Sequence, residues 1–219
     1  MRNFAINVRA LFACIFLVTG PANVYAADKD KTATLTILHT NDIHGHLTAW
    51  QGWEGELAGK NVGGLDRIAA EVGKVRKEVG AEKVLLLDAG DTLGDTLIAA
   101  KTEGRALIEA MNSIRYDAMV VGNHEVDFTA ETLRSRIAEA KFPLLAANML
   151  DKHSAALFTK PYLVKDVGGI KLGILGLAYP NTAYTTAKKN VKDVRFVDAQ
   201  NTAARYVPLM RREGAEIIV

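Results

Sequence analysis

Three short stretches of this chain concentrate carboxylate, amide and imidazole side chains: "HTNDIHGH" (39–46), "LDAGDTLGD" (87–95) and "VGNHEVDF" (121–128). Each joins a glycine to Asp, Asn or His. Asp42 and His44, two residues apart, can both reach one ion where the backbone turns or stays extended. Asp91 can offer its two carboxylate oxygens to two different ions, and Asn123 adds a neutral oxygen. Mixed nitrogen and oxygen donors suit first-row divalent metals (manganese, zinc, iron or cobalt) better than calcium. Two such ions, roughly 3.5–4 Å apart, would clamp both oxygens of an in-line phosphoryl displacement and acidify a bridging water. Loop capping by Asp and Asn accounts for one of these residues easily and for the whole set poorly.

His124 follows Asn123 and so points elsewhere if Asn123 faces a metal. Asp127 lies three residues on, where it can accept a hydrogen bond from the imidazole, favouring the protonated ring and holding its orientation. A protonated imidazole beside metals can donate to a leaving oxygen or stabilise charge on the phosphoryl group. A purely structural hydrogen bond is the competing reading of this pair. Asp88 reads as a loop-fixing acceptor, His39 as a core or supporting group, and His46 as a phosphate contact or a support. His153 and the lysines of "AKKN" (187–190) read as solvated surface, and Gly122 as a residue that permits a tight bend before Asn123.

The elements that must position these groups are legible from apolar periodicity. Residues 34–39, 84–87, 118–121 and 143–147 read as buried strands. A helix is expected over 63–79, with Leu65, Ile68, Ala69, Val72, Val75 and Val79 on one face. A second carries Leu107, Ala110, Met111 and Ile114, and a third over 129–140 turns Leu133 and Ile137 inward. In open α/β sheets, ligands collect beyond the carboxyl ends of strands, where the three polar stretches lie. After Tyr162 two strands meet at Gly168-Gly169, a dipeptide that favours tight hairpins. A helix follows over 199–212, in which Pro208 predicts a kink or a fresh start. "AEIIV" (215–219) reads as a last buried strand. This βαβ rhythm with a later antiparallel piece predicts an α/β sandwich. Residues 50–61, with Trp50 and Trp53 and no period, read as a long surface loop.

The chain has 219 residues, 49% of them apolar, enough for one large domain with a sizeable core. Its first 27 residues have the anatomy of a secretory signal: Arg2 and Arg9 in front, an apolar centre over 10–18 too short to span a bilayer, and small residues before Asp28. A membrane anchor fits less well, because the apolar run ends at Thr19-Gly20-Pro21. The expected division is therefore a signal at 1–27 and a single catalytic-domain portion at 28–219. The only cysteine, Cys14, lies in the signal, so the exported chain would have no disulfide. Without Arg2 and Arg9, 25 basic residues face 25 acidic ones, a balance that argues against nucleic acid as a partner. No P-loop or dinucleotide glycine pattern competes for phosphate.

"ILHTNDIHGHL", "LLDAGDT" and "DAMVVGNHEVDF", with "EAMN" before the last, resemble the secreted 5'-nucleotidase group of calcineurin-like metallophosphoesterases over residues 34–219. The resemblance implies a four-layer α/β/β/α domain, a two-metal centre and hydrolysis of phosphate esters, with nucleoside monophosphates as common substrates. It implies that Asp42 and His44 hold the first metal, Asp91 bridges both, Asn123 holds the second, and His124 with Asp127 forms the catalytic pair. In this scheme a metal-bridging hydroxide attacks phosphorus in line. Further metal-binding histidines and a substrate-stacking domain of the family have no counterpart here, so the four-layer domain is read as truncated on its C-terminal side. Gly94 and Asp95 stand where the family usually shows Gln-Gly, and Val126 where it shows Phe. These departures leave open a related branch acting on nucleotide sugars, cyclic nucleotides or sulfur-linked esters. An exported, non-catalytic binding protein is the alternative from another class; intact His124 and Asp127 weigh against it.

Overall fold

The computed structural model describes residues 3–10, 32–52 and 55–219, with side chains from residue 32 onward. In chain order the elements begin with β1 (Asn3–Ala10), β2 (Thr32–Thr40), β3 (Trp50–Gln51), β4 (Asn61–Val62), α1 (Leu65–Val79) and β5 (Val84–Asp88). They continue with α2 (Leu97–Thr102), α3 (Arg105–Ile114), β6 (Ala118–Val120), α4 (Ala130–Glu139), β7 (Leu144–Leu145) and β8 (Met149–Asp151). The last are β9 (Tyr162–Val167), β10 (Ile170–Leu175), α5 (Thr182–Thr185), β11 (Val194–Phe196), α6 (Ala199–Arg212) and β12 (Ile217–Ile218).

A five-stranded parallel sheet runs in the order β1-β2-β5-β6-β7, and a three-stranded sheet in the order β12-β10-β9. Alternation along the parallel strands assigns each side chain to a layer. Leu38, Val84, Leu86, Met119 and Leu144 face a core shared with the buried faces of α1, α3 and α4. Leu35, Ile37, Leu85, Ala118 and Leu145 face the other way, onto Val167, Ile170, Leu172 and Ile174 of the second sheet. Both faces of the parallel strands are thus covered, which is why they read as continuous apolar runs rather than alternating ones. Outside the second sheet, α6 packs through Thr202, Tyr206 and Met210, spaced four apart. The layers are therefore helix, sheet, sheet, helix, as expected.

Most expected elements occur within a residue or two, and the differences have physical causes. Residues 50–61 are not a structureless loop. β3 and β4 pair as a small antiparallel ladder, with a 3-10 turn at Gly55–Leu57 between them. Two-residue strands are too short to show a period. The short pair β8–β11 and the helices α2 and α5 were invisible for the same reason. Pro208 lies inside α6 without ending it. It removes the donor that would meet the Ala204 carbonyl, but both residues are on the exposed face, where water can take its place. The hairpin at Gly168-Gly169 has both glycines at positive φ, 61° and 83°, as a tight two-residue turn requires. Of the segment read as a secretory signal, Asn3–Ala10 forms edge strand β1, and the remaining residues lie outside those described.

Candidate metal centre

The loops that follow β2, β5 and β6 meet at the carboxyl edge of the parallel sheet. Beyond the strands themselves, the first two loops stay zipped together. Ala89 N–H donates to the Thr40 carbonyl (2.8 Å), Asp42 N–H to Gly90 (3.0 Å), His44 N–H to Asp91 (3.0 Å) and Gly45 N–H to Thr92 (2.9 Å). Holding this course forces side-chain-bearing residues into the left-handed region: Asp42 at φ 54°, His44 at 48°, Asp91 at 59° and Asp95 at 69°. Such conformations cost on the order of 1–2 kcal/mol each and persist only where the surroundings over-determine them. Their concentration on the acidic and imidazole side chains of one edge singles this edge out from the rest of the surface.

Two buried carboxylates supply the over-determination. Glu125, 2% exposed, turns inward from the 3-10 turn at His124–Val126. It accepts from the backbone N–H groups of Asp91 (2.9 Å), Thr92 (2.8 Å), Leu93 (3.1 Å) and Gly122 (2.6 Å), binding the second and third loops together. Burial raises its pKa, and the neighbouring Asp91 charge raises it further, against the lowering effect of those N–H donors. Asp88, also 2% exposed, accepts from the Thr40 hydroxyl (2.6 Å), the Gly90 N–H (2.9 Å) and the Thr92 hydroxyl (3.1 Å). Burial pushes its carboxyl up to about 7 despite the hydrogen bond from Thr40. It sits in the role expected of it, fixing the loop. Nothing in the sequence reading had marked Glu125.

On this scaffold His44, Asp95, His124 and Asp127 come together, while the expected ligands fall in two groups, Asp42 with His44 and Asp91 with Asn123. His44 Nε2 lies 3.5 Å from Asp42 Oδ1, and His44 Nδ1 lies 2.5 Å from Asp95 Oδ2. The rings of His44 and His124 meet edge to face, with centroids 4.7 Å apart. Asp91 Oδ1 accepts from the His124 backbone N–H at 3.0 Å. His124 Nδ1 is 2.6 Å from Asp127 Oδ2, the pairing expected from their spacing. Burial lowers the pKa of His124, but the hydrogen bond to Asp127 and the charges of Asp127, Asp95 and Asp91 outweigh it and leave the group raised. Asp127 is anchored in turn by Asn190, whose Nδ2 donates to its carbonyl, and the Thr186 hydroxyl donates to the Asn123 carbonyl at 3.2 Å. Asp91 and Asn123 share a cleft of about 360 Å³ with Tyr179, and a second cleft of about 480 Å³ is walled by Asp42, His44, His46 and Trp50.

His46 stacks on Trp50, with ring centroids 4.7 Å apart and 14° between planes, and burial followed by the His44 charge lowers its pKa. A neutral imidazole of this kind suits the supporting reading better than the phosphate-contact one. His153 is exposed and pairs with Asp193 at 3.0 Å, and Lys188 and Lys189 are exposed, as expected of surface loops. Among the described residues, the acid and imidazole groups whose ligand atoms lie within 4.8 Å of one another are His44, Asp95 and His124, a set that shares only His44 with the expected ligands Asp42, His44, Asp91 and Asn123.

Four carboxylates, two imidazoles and an amide gathered at one partly open edge fit a divalent cation well. The cluster carries more negative charge than its imidazoles can neutralise, and its nitrogen and oxygen donors match first-row metals. No helix among the described residues is long and apolar enough to cross a membrane.

Comparison with known proteins agrees with this geometry. The sequence profile of the calcineurin-like phosphoesterase family matches residues 35–213. The protein UshA of Yersinia enterocolitica is 34% identical over 99% of this chain and 38% of its own length. A 5'-nucleotidase of Vibrio cholerae is 34% identical over 92% of this chain and 35% of its own. The crystal structure of a 5'-nucleotidase precursor from Thermus thermophilus superposes with a TM-score of 0.72 at 32% identity, covering 84% of this chain and 36% of that one. The chain thus spans little more than a third of the length of these relatives.

Proposed function

The chain belongs to the calcineurin-like phosphoesterase family, and from that premise we propose that the protein is an exported, metal-dependent hydrolase of phosphate esters with nucleotides as its substrates. The observation that carries the reading is the His124–Asp127 pair held against Asp91 and His44, with Asp91 on a loop fixed by Glu125 and Asp88. A binding site alone has no use for an oriented imidazole of raised proton affinity beside the ligand cluster.

Asp42 and His44 would hold one divalent cation, Asn123 a second, and Asp91 would lend a carboxylate oxygen to each. Such cations supply Lewis acidity toward phosphoryl oxygens and lower the pKa of water at the site. The chain's own groups do the rest. Asp127 fixes the His124 ring through Nδ1, so Nε2 is the atom left to carry a proton toward substrate. In the protonated form that Nε2–H donates to a phosphoryl or leaving oxygen as negative charge develops there. The nucleotide assignment draws on the relatives named as 5'-nucleotidases, and export on the signal-like residues 1–27.

Hydrolysis of AMP and p-nitrophenyl phosphate by the purified full-length protein, with and without manganese, tests this reading. The expected result is phosphate release that chelation abolishes and manganese restores. Release unchanged by exhaustive chelation, or none with any first-row divalent metal, overturns it.

A further inference from the structure

Asp95 is placed in a way that its sequence position does not explain. Its two carboxylate oxygens address two different imidazoles: Oδ2 is 2.5 Å from His44 Nδ1, and Oδ1 is 3.8 Å from His124 Nδ1. With Asp42 and Asp127 at the ends, acid and imidazole alternate along one row: Asp42, His44, Asp95, His124, Asp127. Its side chain is half exposed, at 52%, so it adds little to the core. Its backbone nevertheless holds φ at 69°, a conformation glycine would adopt without strain. The preceding Gly94 leaves room for the row, since a Cβ there would come within 2.9 Å of His124 Nδ1 and 3.2 Å of Asp127 Oδ2.

An ionised carboxylate only accepts, so the 2.5 Å contact directs a proton to His44 Nδ1, while Nε2, 3.5 Å from Asp42 Oδ1, is the atom left to share a cation with Asp42. That is the tautomer a metal needs, and an outer carboxylate on a ligating imidazole both selects it and fixes the ring plane. We propose that Asp95 is a positioning residue that locks His44 for metal binding and keeps it aligned with His124. The inference rests on His44 being a metal ligand as proposed above. An exposed ion pair with no such role would contribute almost nothing measurable.

Calorimetric titration of the full chain with Mn²⁺ tests it, using Asp95→Gly, Asp95→Asn and His44→Ala beside the parent. Asp95→Gly relieves the backbone, so it keeps the parent's melting temperature or raises it, yet binds Mn²⁺ about 10–100-fold more weakly. Asp95→Asn, whose amide oxygen still accepts from Nδ1, loses less. Nitrogen-15 NMR of the His44 ring reads the tautomer directly: Nδ1–H in the parent, and a mixture in Asp95→Gly. If His44→Ala weakens Mn²⁺ binding but Asp95→Gly leaves both affinity and tautomer unchanged, Asp95 has no positioning role. If His44→Ala also binds as the parent does, the metal reading fails and this inference with it.

Discussion

His124 experiences two opposed influences. Burial disfavours its charged form, while the Asp127 hydrogen bond and the carboxylates of Asp127, Asp95 and Asp91 favour it, and the second group prevails. A histidine raised in this way is protonated up to a higher pH than a free imidazole and loses its proton as pH passes the raised value. Replacing Asp127 by Asn removes its charge and leaves only a neutral oxygen to accept from the ring. We therefore expect Asp127→Asn to move the alkaline limb of the rate profile to lower pH, with the same metal in both proteins so that its own field cancels. A limb that stays in place means Asp127 does not set the His124 proton. His124→Ala should reduce kcat by roughly 10²–10⁴-fold while bound metal, counted by elemental analysis, is retained. Loss of metal together with turnover would make His124 a ligand instead. The pairing of His124 with Asp127 was legible because their spacing of three carries it. The role of Glu125 was not, because an acid in a short polar loop looks the same in sequence whether it faces water or four backbone donors.

The loops after β2, β5 and β6 are irregular backbone held in place by side chains rather than by repeating secondary structure. Glu125 is the central tie, and its loss would leave the N–H groups of Asp91, Thr92, Leu93 and Gly122 without acceptors. Each unpaired buried donor costs about 1–3 kcal/mol. Glu125→Ala should therefore lower the melting temperature markedly and speed hydrogen exchange first at those amides; exchange unchanged there would show that the loops are held by other contacts. Gly122→Ala tests the same edge by crowding, since a Cβ at 122 would lie 2.3 Å from Asp91 Oδ1. It should displace Asp91 and weaken metal binding with the sheet intact, which a crystal structure of the variant would show. The elements themselves were legible wherever a face repeats: α1 buries Leu65, Ile68, Val72 and Val75 as its spacing predicted. Ladders of two or three residues such as β3–β4 and β8–β11 were not. Nothing in so short a run distinguishes strand from loop until a partner is in place.

At the scale of the whole molecule, the sandwich places Asp88 inside the parallel sheet with its carboxyl raised to about 7 from an ordinary 3.8. An acid raised on folding binds its proton more tightly in the native state than in the unfolded chain. Its contribution to stability is therefore full below pH 3.8 and is lost progressively as pH rises toward about 7. Glu125, raised in the same direction, adds to the trend. Asp88→Asn should flatten this slope, so that variant and parent differ more in melting temperature near pH 8 than near pH 5. Equal slopes would show that Asp88 stays ionised throughout. The layering could be read in advance because fully covered parallel strands are apolar on both faces. The most direct measurement is an anomalous difference map from crystals grown with Mn²⁺, recorded at a wavelength where manganese scatters strongly. The account predicts peaks at the carboxyl edge of the parallel sheet, in contact with Asp42, His44, Asp91 and Asn123. Manganese bound elsewhere, or a clear map with none at that edge, contradicts it.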